Sequence, residues 1–242
     1  MIVIYLKLSN NERNQIAGKL SEGVSFERVL SDIRTNLTPK LKFIKIPQSQ
    51  TIENRTVDAA DDWAGRFWAR TWCNTKAPNF CETGDCGSKL ECAGNGGAPP
   101  ASLVEIALRG WGGLDYYDIS LVDGFNVKAS IEPVDGRGAD GRYGCKKAAC
   151  NHYINDECPQ ELRLYGSTGV VIGCKSACLA FNTDQYCCRG NYGVPEKCKS
   201  TDWPVNWPDF FKKRCPDAYS YAYDDHSSTF KCIANTYRVT FG

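Results

Sequence analysis

Two acidic side chains, Glu105 and Asp118, lie in segments whose alternating apolar and polar residues predict β-strands. Val104 and Ile106 flank Glu105, so the glutamate points to the other face, towards solvent or a groove. Asp118 likewise points away from the face that carries Ile119. Carboxylates accept hydrogen bonds from sugar hydroxyls, and two that lie close together can supply the acid and base of glycoside hydrolysis.

Cysteines are the second group of residues that could do chemistry. The chain has fourteen of them, all between Cys73 and Cys232. Their even number predicts seven disulfides, which form and persist in an oxidising, extracytosolic compartment. Zinc ligation is the alternative. However, His152 and His226 are the only histidines that could act as further ligands, and fourteen thiols would need several zinc sites. We therefore expect disulfides and no metal.

The start of the chain does not have the pattern of a secretory signal that this compartment would require. The apolar stretch before Lys7 is only six residues long, shorter than the apolar region of a secretory signal. No apolar run approaches the length of a membrane span. We therefore expect an extracellular protein whose natural leader is lost or replaced, and no transmembrane segment.

Composition and charge divide the chain near residue 46. The 242 residues carry 29 Lys and Arg against 28 Asp and Glu, so the net charge of +1 argues against a protein that binds nucleic acid over its whole surface. The 42% of hydrophobic residues excludes general disorder. Residues 1–50 hold eight basic and four acidic residues and no cysteine, whereas the remainder is mildly acidic and cysteine-rich. We assign residues 1–46 to a head and residues 47–242 to a second domain.

The head has helical patterns. Ser9 and Glu12 have capping-box spacing, and apolar residues follow with helical spacing on both sides of Gly23. This pattern resembles the helix-turn-helix of transposon-type DNA-binding proteins, although a plain helical hairpin would share it. Acidic residues interrupt any basic stripe, so we do not expect nucleic acid as a partner: Glu12, Glu22, Glu27 and Asp32.

Short strands separated by turn-forming residues predict a mainly β fold for residues 47–242. Segments 116–122 and 125–131 alternate and meet at Asp123-Gly124, which predicts a hairpin. Segments 175–182 and 207–214 are predicted as short helices in loops held by disulfides.

Several sequence blocks in residues 48–242 carry a more specific signal. They include Phe80-Cys81-Glu82-Thr83-Gly84-Asp85-Cys86-Gly87, Asp115-Tyr116-Tyr117-Asp118-Ile119-Ser120, Cys174-Lys175-Ser176-Ala177-Cys178 and Tyr219-Ser220-Tyr221-Ala222-Tyr223-Asp224-Asp225. In order and spacing these blocks resemble the thaumatin-like protein family. The resemblance implies a β-sandwich with a disulfide-rich lobe, here with its first strand replaced by a short helical N-terminal segment. Met1–Leu8 or 41–46 are the candidates to substitute for that strand.

The resemblance also implies an acidic cleft that binds β-1,3-glucan between the sandwich and the lobe. Its residues would be Arg66, Glu105, Asp118, Asp123 and Asp224, with Asp225 an alternative to Asp224. If the cleft hydrolyses glucan, Glu105 is the expected proton donor and Asp118 the base or nucleophile. If the cleft only binds, Tyr116 and Tyr117 are expected to stack on sugar rings.

Disulfide connectivity follows from the resemblance alone, because spacing cannot fix it. The family usually has sixteen cysteines, and the two absent here would form one pair between the first strand and the chain end. The implied pairs are Cys73–Cys81, Cys86–Cys92, Cys145–Cys232, Cys150–Cys215, Cys158–Cys174, Cys178–Cys187 and Cys188–Cys198. Asp85, in the tight loop between two cysteines, is expected to bind its own backbone.

Together with the sequence, this resemblance implies a secreted, monomeric defence-type protein without a cofactor, which binds β-1,3-glucan or a fungal cell-wall polysaccharide and hydrolyses glucan weakly if at all. Two alternatives remain open. One is a DNA-associated fusion whose head directs its function, and the other is a structural or sweet-type protein without an active cleft.

Overall fold

The fold was analysed in a computed structural model, which describes residues 2–8, 53–74 and 80–242. Its larger sheet has five strands in the order β2-β1-β13-β8-β9. Their bounds are β1 Ile2–Leu8, β2 Glu53–Ala59, β8 Ala129–Pro133, β9 Ala148–Cys150 and β13 Thr236–Phe241. All pairings in this sheet are antiparallel except that of β1 with β2.

The second sheet has four strands in the order β12-β7-β6-β3 and is antiparallel throughout. Its strands are β3 Ala64–Trp68, β6 Leu103–Ala107, β7 Asp115–Ser120 and β12 Phe230–Cys232. Two small ribbons pair β4 Thr71–Cys73 with β5 Cys81–Thr83, and β10 Arg163–Tyr165 with β11 Val171–Cys174. The predicted mainly β class is confirmed.

The two large sheets pack face to face around one core. Ile106 and Tyr117 of the four-stranded sheet and Ile131 and Val239 of the five-stranded sheet are completely buried in the same cluster. The rings of Tyr117 and Tyr237 lie 5.4 Å apart between the sheets. Alternation along each strand therefore leaves the intervening side chains of the four-stranded sheet on its outer face.

The strand Ile2–Leu8 lies between β2 and β13. Its register places Ile4 opposite Val239 and Arg55, and Leu6, which is 1% exposed, belongs to the core cluster. Of the two segments that were candidates to replace the first strand, Met1–Leu8 therefore supplies the strand that pairs here. The predicted helices of residues 9–46, the strand candidate 41–46 and the proposed boundary at residue 46 lie outside the described residues.

The hairpin predicted at Asp123-Gly124 is wrong. Strand β7 ends at Ser120 and β8 begins only at Ala129, and the two strands belong to different sheets. Gly124 adopts a φ of 82° and donates its N–H to the Leu121 carbonyl, so the dipeptide does turn the chain. That turn leads the chain from one sheet to the other instead of folding it back on its neighbour.

The rest of the described residues form a lobe of loops, short 3₁₀ helices and two α-helices. Helices α1 Ala177–Phe181 and α2 Trp207–Arg214 match the two predicted helical segments, and Ser176 and Asn206 cap their N-termini. The seven disulfides join the same pairs as those implied by the resemblance. Each of the fourteen cysteines is oxidised, so none of them can act as a thiolate ligand for zinc.

Candidate functional site

A row of charged side chains crosses the four-stranded sheet. Arg66 of β3 lies directly opposite Glu105 of β6, and Glu105 lies opposite Asp118 of β7. The neighbours Phe67 and Tyr117 point into the core, so the row occupies the outer face. The sequence reasoning placed Glu105 and Asp118 on the outer faces of their strands, and the register between the strands brings them together.

Exposure differs strongly along this charged row. Asp118 is completely buried and Glu105 is 3% exposed, whereas the side chains of Arg66 and Asp123 are 26% and 40% exposed. The Arg66 Nη1 lies 3.8 Å from the Asp123 Oδ2. A ligand would therefore meet Arg66 and Asp123 first, with the two acids of the strands beneath them.

The spacing of Glu105 and Asp118 limits their charge. Directly opposed residues in an antiparallel pair have Cβ atoms about 4.5–5.5 Å apart. Two carboxylates this close, both out of water, resist simultaneous ionisation, and the Arg66 guanidinium on the other side of Glu105 offsets one negative charge. An acid–base pair requires one protonated and one ionised carboxyl, and two directly opposed carboxyls are a suitable arrangement for it.

Asp224 is held by its own loop. Its Oδ2 accepts hydrogen bonds from the Ser220 N–H at 3.1 Å and the Ser220 hydroxyl at 2.7 Å, and lies 3.0 Å from the Lys212 Nζ. Its Oδ1 accepts a hydrogen bond from the Ser227 hydroxyl at 2.6 Å. Asp224 is only 5% exposed, and its oxygens already accept from these donors. The sequence analysis had instead assigned this carboxylate to ligand binding. Asp224 and Lys212 also line a cavity of about 320 Å³ together with Tyr221 and His226.

The predicted stacking role of Tyr117 is wrong. Its ring is completely buried between the sheets, and its hydroxyl donates to the Lys146 carbonyl. Tyr116 is partly exposed and shares the face of the charged row, since it lies opposite Ala107 on the outer side of the sheet. Only Tyr116 of the two keeps a position from which it could contact a sugar.

Asp85 has the structural role that was expected. Its carboxylate accepts hydrogen bonds from the N–H groups of Cys81, Gly87 and Ser88 and is 3.1 Å from the Arg70 Nη2. Burial acts to raise the pKa of Asp85, but the three backbone donors and Arg70 outweigh burial and lower it. The carboxylate closes the loop between the first two disulfides.

Sequence reasoning missed a hydroxyl pair at the end of the charged row. Phe230 of β12 lies opposite Tyr117, so Thr229, one residue earlier, falls opposite Asp118. Tyr219 lies beside Ser120, and its hydroxyl is hydrogen-bonded to Thr229 and donates to Asp225 Oδ1 at 2.9 Å. Tyr219 stands in a sequence block quoted above, but no local signal pairs it with β7.

No group of three or more His, Cys, Asp or Glu side chains is arranged to hold a metal ion in the part of the chain that the structure describes. Among helices in those same residues, none combines the length and hydropathy needed to cross a bilayer.

Comparison with known proteins gives a consistent result. The model of the "Thaumatin family" matches residues 29–242. The chain is 51% identical to thaumatin-like protein 1 of Pyrus pyrifolia over 74% of this chain and 71% of that protein. It is 51% identical to pathogenesis-related protein 5 of Arabidopsis thaliana over 78% of this chain and 74% of that protein.

A third relative carries an enzyme name. The chain is 47% identical to a glucan endo-1,3-beta-glucosidase of Prunus avium over 76% of this chain and 74% of that protein. Among solved structures, the thaumatin-like xylanase inhibitor TLXI matches 39% of this chain and 58% of that protein at 27% identity, with a TM-score of 0.30.

Proposed function

The chain belongs to the thaumatin family, and we propose that it is an extracellular, monomeric defence-type protein that binds β-1,3-glucan through the charged row and Asp123. One observation carries the proposal: Arg66, Glu105 and Asp118 align across three strands, and Arg66 pairs with Asp123 at their exposed end. A guanidinium and a carboxylate at one opening can donate to and accept from the hydroxyls of the same sugar.

Two further observations support this proposal. Relatives at about half identity are named as a pathogenesis-related protein and as a glucan endo-1,3-beta-glucosidase. Seven disulfides are typical of proteins that work in an oxidising compartment. Glucan binding, a defence role and an extracellular location are therefore proposed together.

For hydrolysis we assign the proton donor to Glu105 and the base to Asp118. Glu105 lies between Arg66 and Asp118 and is the nearer of the two strand acids to the exposed residues. Complete burial of Asp118 makes its direct attack on a polymer difficult, and the close cross-strand spacing leaves little room for an activated water between the two carboxyls. Binding is accordingly the principal activity and hydrolysis a weak one.

Adsorption to insoluble β-1,3-glucan tests the binding proposal. The protein is expected to be retained on β-1,3-glucan and to pass through cellulose, a β-1,4-glucan. Asp123→Asn should weaken retention about tenfold, because it removes an exposed charged acceptor. The matched control is Asp184→Asn, in which an exposed lobe carboxylate paired with Arg189 is changed instead. Equal retention on both polymers, or equal effects of both variants, would contradict the proposal.

Release of reducing ends separates a binder from an enzyme. If the protein hydrolyses β-1,3-glucan, Glu105→Gln should abolish product release while retention on the polymer persists. No release by the unmodified protein removes the enzyme assignment and leaves binding intact.

The alternatives lack comparable support. The DNA-associated function depends on residues 9–46, which lie outside the described residues, and no observation elsewhere favours it. A structural or sweet-type protein without an active cleft is the result expected if adsorption fails.

A further inference from the structure

A second charged surface lies at the edge of the four-stranded sheet that β12 forms. Residues 136–147 hold four exposed basic side chains and one acid, Asp140, and β12 adds a fifth basic side chain. We call these five residues the basic edge: Arg137, Arg142, Lys146, Lys147 and Lys231. Arg66 lies on β3, which forms the opposite edge of the same sheet. The basic edge is therefore separate from the opening between Arg66 and Asp123.

Backbone hydrogen bonds join the chain segments that carry the basic edge. The Cys145 N–H donates to the Lys231 carbonyl, and the Lys231 N–H donates to the Tyr143 carbonyl, both at 2.9 Å. Arg137 and Ile233 exchange two such bonds, of 2.9 and 2.8 Å. The disulfide of Cys145 joins two of these segments covalently. The backbone positions of the five charges are thus fixed relative to one another.

The basic edge differs from other basic residues of the molecule because acids do not neutralise it. Arg238, for example, is bound to Glu132. Within the described residues, no ion pair joins any member of the basic edge to an acid. The nearby Asp135 carboxylate accepts instead from the N–H and the side-chain amide of Asn235. The edge therefore presents a net positive charge that attracts a polyanion.

The backbone of the basic edge favours carboxylates spread along a polymer over one compact phosphate. Phosphate sites commonly use several backbone N–H groups that converge on one point. Here the N–H groups of Arg137, Cys145 and Lys231 are already bonded to carbonyls within the edge. The basic side chains lie on separate segments, so each can pair with a different singly charged group.

Nucleic acid and a lipid surface fit the basic edge less well. Single-stranded nucleic acid needs aromatic faces on which its bases stack, but the Arg142 guanidinium lies over the Tyr143 ring, 5.2 Å from its centroid. A lipid surface needs apolar side chains that enter it, but Phe230 and Cys232, on either side of Lys231, are buried.

We propose that the basic edge binds a polyuronate, an extended polysaccharide with a carboxylate on each sugar. The inference rests on the proposed extracellular location and is independent of glucan binding, which uses the opening at the other edge of the sheet. A molecule with both surfaces occupied links a neutral glucan to an acidic polysaccharide.

Retention of the full chain on immobilised polygalacturonate at about 0.1 M salt tests the inference. The protein should be retained on this polymer and pass through its fully methyl-esterified form, which has the same backbone without the charge. Lys146→Gln combined with Lys147→Gln should weaken retention about tenfold, because charge-assisted contacts are lost. Salt at about 1 M shortens the screening length from about 10 Å to about 3 Å and should release the protein.

The matched control is Lys89→Gln combined with Lys197→Gln. It removes two charges from lysines that are equally exposed but lie outside the basic edge, so retention should stay close to that of the unmodified protein. All four lysines are exposed, so neither double variant should change the melting temperature. Both should also still adsorb to β-1,3-glucan.

Equal retention on polygalacturonate and on its methyl ester would overturn the inference. An equal loss in the two double variants would do the same, because net charge alone would then explain binding. Retention on phosphatidylserine vesicles or single-stranded DNA, with none on polygalacturonate, would show that the edge takes a different class of partner. Failure to adsorb to β-1,3-glucan with polygalacturonate binding intact would reject the proposed glucan binding and leave this inference standing.

Discussion

At the scale of single residues, the acidic side chains around the site differ in how many donors hold them. Asp85 and Asp224 each accept from three or more groups of their own loops and act as structural centres. Asp123 is partly exposed and lies 3.8 Å from Arg66, so it can exchange that partner for a ligand. Residue type alone could not make this division, because it depends on which backbone N–H groups converge on each carboxylate.

Asp85→Asn should lower the free energy of unfolding by about 1–3 kcal/mol at neutral pH, because hydrogen bonds to a charged acceptor are replaced by weaker ones. The native pKa of Asp85 is lowered, so its ionised form is favoured in the folded state. Its contribution is therefore present above the unfolded pKa and is lost as the pH falls through the native pKa.

Urea unfolding of both proteins at pH 7 and near pH 2 checks this expectation. The difference in stability should shrink at the lower pH, where a larger fraction of Asp85 is protonated. A difference of the same size at both values would show that the charge of Asp85 contributes nothing.

At the scale of secondary-structure elements, local patterns identified the strands but not all of their partners. The alternation around Glu105 and Asp118 correctly predicted β6 and β7, because one side of each strand packs against the core. The Asp123-Gly124 turn was correctly recognised as a turn and wrongly extended to a hairpin. A turn signal fixes the local backbone, whereas the choice of sheet depends on which apolar faces meet across the core.

Strand β1 is the clearest example of long-range pairing. It runs parallel to β2 although 44 residues, 9–52, separate the two strands in sequence. Its antiparallel partner β13 lies at the other end of the chain. Met1–Leu8 was one of two candidates to replace the first strand, but neither partner nor register is encoded locally.

Leu6→Ala should reduce the free energy of unfolding by about 2–5 kcal/mol, because Leu6 is 1% exposed within the shared core. The matched control is Leu90→Ala, which removes the same atoms from a leucine that is 66% exposed and should change stability by no more than about 0.5 kcal/mol. Chemical denaturation measures both. Equal and small effects would mean that β1 is not part of the stable sheet.

At the scale of the whole molecule, disulfides fix the lobe beside a sandwich whose outer face carries the charged row. The bridges Cys150–Cys215 and Cys145–Cys232 connect segments 65 and 87 residues apart, so they hold distant loops against the two sheets. Cysteine number predicted the class of molecule, and the family resemblance supplied the pairing. The burial of Asp118 and Glu105 could not be predicted, since it depends on how the assembled chain covers that face of the sheet.

A crystal structure of the protein with a β-1,3-linked glucose hexamer tests the central claim most directly. The account predicts sugar hydroxyls within hydrogen-bond distance of Arg66 and Asp123, above Glu105. An oligosaccharide bound elsewhere on the molecule, with Arg66 and Asp123 still paired to each other and free of sugar, would contradict it.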